Sequence, residues 1–229
     1  MIKLQAPEVL ENENLSNFIA DSLKKRIIML DLFPGEKLSE MKIARMMACS
    51  RTPVRDAFHR LRSEGYLESH PQVGTFVPKI DLRRVEEVRF IREGIETFVL
   101  KFGMERNLFM PYFTQLQHLI DKQDRAYSAN EYNTFNQLDI EFHHLFHHAI
   151  NKPFVSHYSG DTDVHHARLR LMSIRYERNP HIAIEHHQQI LDSVVANDIP
   201  KMFCVMEAHL NNLYRVLENP ELINSAILK

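Results

Sequence analysis

The helical hydrophobic period of this chain is interrupted only once. Between Leu15 and Leu61 the apolar residues recur at steps of three and four, as on one face of a helix. The pattern then breaks into two short stretches, Tyr66-Leu67-Glu68-Ser69-His70 and Thr75-Phe76-Val77, on either side of Pro71-Gln72-Val73-Gly74. These read as two strands of a hairpin. From Val85 onward helical spacing returns, and no further strand pattern follows. Such a chain is mainly α, with one small β element interrupting it.

The helices ahead of the hairpin are placed by their end signals. Leu15, Phe18, Ile19 and Leu23 mark a first helix over residues 15–29, stopped by Phe33-Pro34-Gly35. A second runs from Ser39, its N-cap, to Met47. A third opens at Ser50-Arg51-Thr52-Pro53, a hydroxyl cap with a proline in the first turn, and closes with Gly65 at C′. Three helices and a hairpin are the layout of a winged helix-turn-helix. The first turn of the third helix offers Arg51, Thr52 and Arg55 to a groove of double-stranded DNA. Arginine suits bidentate contact with guanine, while hydroxyls and helix N-termini suit phosphate.

Bulk charge alone does not reveal this. Residues 1–79 carry 12 Lys/Arg against 10 Asp/Glu, and residues 80–229 carry 16 against 20. The sharper asymmetry is histidine, with 2 of 14 before residue 80 and 12 after it.

The stretch from Pro34 to Val77 resembles the DNA-binding domain of GntR-type bacterial transcription regulators. The resemblance rests on Pro34-Gly35, Leu38-Ser39-Glu40, Ala44, Ser50 to Arg55, Leu61, Glu64-Gly65 and Gly74-Thr75-Phe76-Val77. Where many members have an arginine just after the glutamate of the second helix, this chain has Met41-Lys42. The resemblance implies that Ser50, Arg51, Thr52 and Arg55 meet bases or phosphates. It also implies that Arg45 touches the DNA backbone and that Gly74, at the wing tip, approaches the minor groove.

The second half offers buried polar chemistry. On the first helix after the hairpin, Val88, Ile91, Ile95, Phe98 and Phe102 step by three or four and form one apolar stripe. At about 100° per residue, Phe135, Phe142, Phe146 and Ile150 share one arc of a later helix, with Asp139 inside it and His143 at its edge. A buried carboxylate without a partner costs several kcal/mol, so something must compensate it. His187 lies near the centre of the arc set by Ile190, Leu191 and Val194, and His186 lies outside it. His209 falls within the arc of Met202, Met206, Leu213 and Val216. The last two histidines flank Asn197-Asp198-Ile199-Pro200 at 11 residues before and after Asp198. In an antiparallel hairpin both sit about 16 Å from the turn. One aspartate and three histidines can therefore converge as ligands of a divalent metal. Zinc suits this set best, and nickel, iron or manganese accept it. His147 stands between pocket lining and helix edge. Other histidines, His166 and His186 among them, are expected at the surface.

This half is similar to the FCD effector domain of the FadR subfamily of GntR regulators, over roughly residues 84–217. The shared marks are Arg92-Glu93-Gly94-Ile95-Glu96, Asp139-Ile140-Glu141-Phe142-His143, His187-Gln188-Gln189-Ile190-Leu191 and His209-Leu210. The resemblance implies that Asp139, His143, His187 and His209 hold the metal. It implies that Arg92 meets the carboxylate of a small organic acid effector, and that the protein is a homodimer on a palindromic operator.

The expected organisation is then a winged helix-turn-helix over 1–79, with 1–13 an extension, a linker at 80–84, and an all-helical bundle over 85–229 for metal, effector and dimerisation. The two cysteines cannot build a disulfide framework, no apolar run reaches membrane-span length, and the first residues lack the apolar core of a secretory leader. A cytoplasmic protein is expected. Two other readings use the same metal ligands. A metal-dependent hydrolase would need a general base beside the metal, but Glu141 falls on the far side of its helix. A structural metal bundle would leave no room for an effector.

Overall fold

The computed structural model describes residues 12–158, 163–176, 181–218 and 227–229. The chain divides into two compact units, Met1–Asp81 with Asn224–Lys229, and Leu82–Ile223.

The first unit holds α1 (Asn12–Ile28), β1 (Lys37–Leu38), α2 (Glu40–Met46), α3 (Arg51–Ser63), β2 (Glu68–His70) and β3 (Gly74–Phe76). Its core is apolar and local to the helices: Ile19, Leu23, Ile27, Val54, Ala57, Phe58 and Leu61 are fully buried. The Ser39 side chain caps α2 by accepting from the Lys42 backbone N–H. Ser50 takes the N-cap position of α3 with extended backbone, yet its hydroxyl makes no cap hydrogen bond, contrary to expectation. The cause is in the sequence. The third helical residue is Pro53, which has no N–H to offer such a cap. Gly65 closes α3 with φ +79°, as a C′ glycine should. The sheet gains a strand that no pattern announces. β1 pairs with β3 antiparallel, Lys37 opposite Phe76, so the order is β1-β3-β2. Ile80 pairs with Leu228 in an isolated bridge.

The second unit is helical among its described residues. It holds α4 (Leu82–Met104), α5 (Phe113–Ser128), α6 (Tyr132–Ala149), α7 (Val164–Tyr176), α8 (His181–Ala196) and α9 (Ile199–Asn211), with short 3-10 turns between and after them. Asn197 takes a left-handed φ of +51°, and the Asp198 side chain caps α9 through the Lys201 N–H. These two residues make the tight turn that sets α8 and α9 antiparallel. The main core gathers Leu100, Leu116, Phe142, Phe146, Ile190, Leu191, Met202 and Met206.

α4 divides its apolar stripe. Val88 is buried and Ile95 and Phe102 pack against the core, whereas Ile91 and Phe98 are 47% and 65% exposed. The face turned inward also carries Val85, Arg92, Glu96, Thr97, Val99 and Leu100. A buried ion pair thus sits among the apolar residues of the inner face.

Candidate functional site

In the first unit, α3 presents two kinds of arginine. Arg60 is tied to its own unit, through Asn17 at 2.7 Å, Glu64 at 2.9 Å and Asp21 at 3.7 Å. Arg51, Thr52 and Arg55 are exposed on the first turn, and Arg51 reaches Glu40 of α2 only at 3.4 Å. Arg45 is exposed on α2, its guanidinium 3.8 Å from the Met41 sulfur. The uncapped Ser50 hydroxyl lies beside these groups at the helix N-terminus. Gly74 opens β3 with φ +139°, a conformation that L side chains rarely adopt. The Lys37 side chain lies over it, its Cε 2.6 Å from where a Cβ would stand. Lys37 therefore brings a cation to the wing. Sequence reading missed it because a two-residue strand has no period.

In the second unit, one ligand atom each from Asp139, His143, His187 and His209 lies within 4.8 Å of all the others. α6 supplies Asp139 and His143, one turn apart on its inner face, and α8 and α9 supply one histidine each. The turn between α8 and α9 brings the His187 and His209 rings to 4.6 Å between centroids. His186, expected at the surface, is instead half-buried beside them, its ring 6.0 Å from that of His209, although it is not among the four clustered residues.

The hydrogen bonds around these rings fix which nitrogen carries a proton. Gln123 donates its Nε2–H to the Leu138 carbonyl at 3.0 Å, which points its Oε1 at His187 Nδ1, 2.6 Å away. His187 Nδ1 must then be the donor. Burial first, then neighbouring His143, His186 and Arg92, hold His187 well below the usual histidine range, so the ring is neutral. Its Nε2 is consequently a lone pair. It has no hydrogen-bond partner among the described residues and faces the Asp139 Oδ1 at 3.4 Å. Two acceptors face each other inside a core. A cation between them would relieve that arrangement.

The other ligands fit the same role. Burial, with the charges of His187 and His143, keeps His209 neutral too. Its Nδ1 is buried without a hydrogen-bond partner among the described residues. Its Nε2 lies 3.1 Å from His143 Nε2. His143 Nδ1 faces Glu96 Oε2 at 2.5 Å. Burial alone would raise the Glu96 carboxyl. Arg92 and His143 outweigh that and hold it below the ordinary carboxylate range. An ionised Glu96 orients His143 so that its Nε2 points to the cluster. Gln123 and Glu96 thus stand where outer partners would orient the imidazoles if a metal were held. Glu96 belongs to the buried pair with Arg92, whose Nε is 2.7 Å from Glu96 Oε1.

A cavity opens beside the cluster, with about 50 Å³ of room for the centres of water-sized molecules. One water needs about 10–15 Å³ on that measure, so the space suits a ligand of a few heavy atoms. Asp139 and His209 line it on one side, with Arg92, His166, Arg170 and Ser173 around the rest. Arg170 is buried and held at its Nε by Asn136 Oδ1, 3.0 Å away. His166, expected at the surface, is 1% exposed, and His147 is buried as well. α7 is buried on every side, so no angular pattern separates its inner from its outer positions. Glu141 is exposed on α6. The side chain of His157 lies outside the described residues. No described helix is long and apolar enough to cross a membrane.

Comparison with known proteins agrees with this architecture. Residues 15–77 match the family described as bacterial regulatory proteins, gntR family, and residues 87–212 match the FCD domain. An HTH-type transcriptional regulator in an unstable DNA locus of Streptomyces ambofaciens is 29% identical over 200 residues, 86% of this chain and 82% of that protein. The HTH-type transcriptional repressor RspR of Escherichia coli K12 is 26% identical over 191 residues, 83% of each chain. Among solved structures, McbR/YncC of E. coli superposes with a TM-score of 0.66 at 23% identity, over 92% of this chain and 100% of its own. A GntR regulator from Rhodococcus sp. RHA1 gives 0.70 at 18%, over 90% and 98%. With its winged helix-turn-helix and its helical second unit each matched, the chain belongs to the GntR family of bacterial transcription regulators and carries an FCD domain.

Proposed function

We propose that this regulator binds a divalent metal through Asp139, His143, His187 and His209. In this reading it senses a small carboxylic acid in the adjoining cavity and binds a palindromic operator as a homodimer. The observation that carries the metal is the lone pair of His187 Nε2 turned toward the Asp139 carboxylate inside the core. Three imidazoles and one carboxylate suit zinc first, with nickel, iron or manganese as alternatives. When bound, the metal supplies a Lewis-acidic anchor for an oxygen ligand. The chain's own residues supply the rest. Arg170, and Arg92 beside its Glu96 partner, put positive charge on the cavity wall, where a carboxylate makes strong charge-assisted hydrogen bonds. Ser173 adds a hydroxyl, and the small volume favours a short hydroxy- or dicarboxylate over an acyl chain.

On the DNA side, this reading has the exposed Arg51 and Arg55 read bases. Ser50, Thr52 and Arg45 suit phosphate contacts, and Gly74 with Lys37 forms the wing tip. The effector acts only through a difference in its affinity for the two domain arrangements it biases.

Titration calorimetry with short hydroxy- and dicarboxylates on the metal-loaded protein tests the pocket. Arg170→Gln should weaken binding at least tenfold. Arg92→Ala is the poorer probe, because it strands the Glu96 charge in the core. If no acid in the panel binds, or if binding survives both metal removal and Arg170→Gln, this reading of the cavity fails.

A further inference from the structure

Ile80 lies between the wing and the start of the second unit, and both of its backbone groups are engaged by residues that follow that unit in sequence. The Ile80 N–H donates to the Ile227 carbonyl at 2.9 Å, and the Lys229 N–H donates to the Ile80 carbonyl at 2.8 Å. The two bonds flank Leu228, which pairs with Ile80 in a parallel bridge. Ile80 is fully buried, so its N–H and C=O need such partners. Asn224–Lys229 accordingly belongs to the first compact unit.

This clasp holds a stretch that is already fixed to the wing. Val77 directly follows β3, the central strand of the small sheet. Its N–H donates to the Glu36 carbonyl at 2.9 Å, and its carbonyl accepts from the Gly35 N–H at 2.8 Å. Val77, Pro78 and Ile80 are all buried. A displacement of Ile80 is therefore passed to β3, whose first residue is Gly74 at the wing tip.

Followed backward from the clasp, the chain leads to the cavity beside the candidate metal ligands. Asn212 and Leu213 line that cavity, at the start of the 3-10 stretch Asn212–Glu218. The stretch packs on α7, which carries Arg170 and Ser173 of the cavity wall, and on α9, which carries His209. Leu213 and Val216 anchor it in the core, and the Tyr214 hydroxyl donates to Glu86 of α4 at 2.8 Å. Leu213 and Leu228 are 15 residues apart.

We infer that residues 227–229 are a clasp on Ile80 through which the stretch Asn212–Glu218 passes the state of the cavity to the wing. The inference rests on the effector reading above for the ligand that fills the cavity, and it names the route of regulation. The second unit is joined to the first at both of its ends, by the chain at Asp81–Leu82 and by the clasp. A single crossing is a swivel, in which a movement at the cavity dissipates. Two crossings make a hinge, and shifting one of them re-aims the wing. Two backbone hydrogen bonds are worth little net of those that water offers instead. The clasp therefore opens within the range that a small ligand's differential affinity can shift.

Operator affinity, measured by fluorescence anisotropy on DNA selected by the full chain from a random pool, is the test. Leu213→Trp fills the cavity in place of a ligand and Leu213→Ala widens it, so the assay contains no carboxylate. At least one of the two should change operator affinity by about fivefold or more in the full chain. In a chain ending at Ala226 both changes should fall below about twofold. Lys229→Pro removes the N–H that the Ile80 carbonyl accepts and should behave as the shortened chain. Lys229→Ala keeps that N–H and should behave as wild type. Hydrogen exchange at the Ile80 amide should be about tenfold faster or more in the shortened chain and in Lys229→Pro. Far-ultraviolet spectra check that each variant folds, and the exchange measurement needs neither Leu213 variant. An Ile80 amide that exchanges alike in all these chains overturns the clasp. Leu213 variants that alter operator affinity equally with and without residues 227–229, or in neither chain, overturn the relay. Calorimetry in which no acid binds overturns the effector reading and leaves these outcomes standing.

Discussion

At the scale of single residues, Gln123 and Glu96 orient His187 and His143 although neither is among the four candidate ligands. Gln123→Leu keeps the volume but removes the acceptor for His187 Nδ1–H, freeing that ring to change tautomer. Metal affinity should fall about 10–100-fold, read by competition with a chromogenic chelator. An unchanged affinity would show that the ring is held by packing on Phe142, whose ring stacks on it at 4.3 Å, and not by the hydrogen bond. The pH dependence of the metal-free protein follows from the same residues. His187 and His209 titrate lower folded than unfolded, where histidine sits near ~6.5. The unfolded chain therefore binds more protons between those values, and stability rises with pH there. The metal-free protein should be fully stabilised by these rings above pH ~6.5 and lose that stability progressively as pH falls below it. Urea midpoints taken across the range from mildly alkaline to mildly acidic buffer check this, and a flat profile would contradict the neutral assignment. Glu96 adds its own loss only under more acidic conditions, as pH falls below the ordinary carboxylate range.

At the scale of elements, α3 separates contact from scaffold. Arg51→Ala and Arg55→Ala should each cost about 1–3 kcal/mol of operator affinity if the guanidinium is bidentate to a base. Removing a side chain that neutralises one phosphate should reduce the salt slope by about one. Arg60→Ala should leave the affinity of the folded protein unchanged, because Arg60 joins α3 to α1 and to its own C-cap. Fluorescence anisotropy at several salt concentrations separates the three variants. An Arg60→Ala protein that binds as poorly as Arg51→Ala would place the interface elsewhere on α3. The same elements show why some of the fold is legible in the sequence and some is not. The ends of α3 are readable because proline, serine and glycine act locally on the backbone. Asp139, His143, His187 and His209 are readable because a polar residue inside an apolar arc is anomalous at helical spacing. Gln123 carries the same signal, lying one turn from Ile120 and Ala126 on the buried face of α5, but as a neutral amide it stands out less than a buried charge. His166 carries none, since α7 is buried all round and its period is flat. The stripe on α4 is visible in the sequence, yet only Val88, Ile95 and Phe102 of it are buried or pack against the core, while Ile91 and Phe98 stay exposed. Periodicity reports only that a face is apolar, not what covers it.

At the scale of the whole molecule, the two compact units would make the proposed metal a local stabiliser. Its four candidate ligands all belong to the second unit, on α6, α8 and α9, and converge only when those helices have packed. Binding to the folded form alone adds RT ln(1 + [M]/Kd), about 4 kcal/mol at a free metal concentration about a thousand times Kd. For a unit of this size, about 1 kcal/mol moves the melting temperature by about 2–8 °C. Chelation should therefore lower one calorimetric transition by on the order of 10 °C. It should leave the transition of the winged helix-turn-helix unit in place, since that unit contributes none of the ligands. His187→Ala should abolish the response to chelator and His186→Ala should preserve it, because only the first places a nitrogen among the ligands. A single transition that shifts as a whole would mean that the units unfold together, with metal occupancy in the second reaching the DNA-binding unit as stability. Equal responses from the two histidine variants would remove His187 from the ligand set.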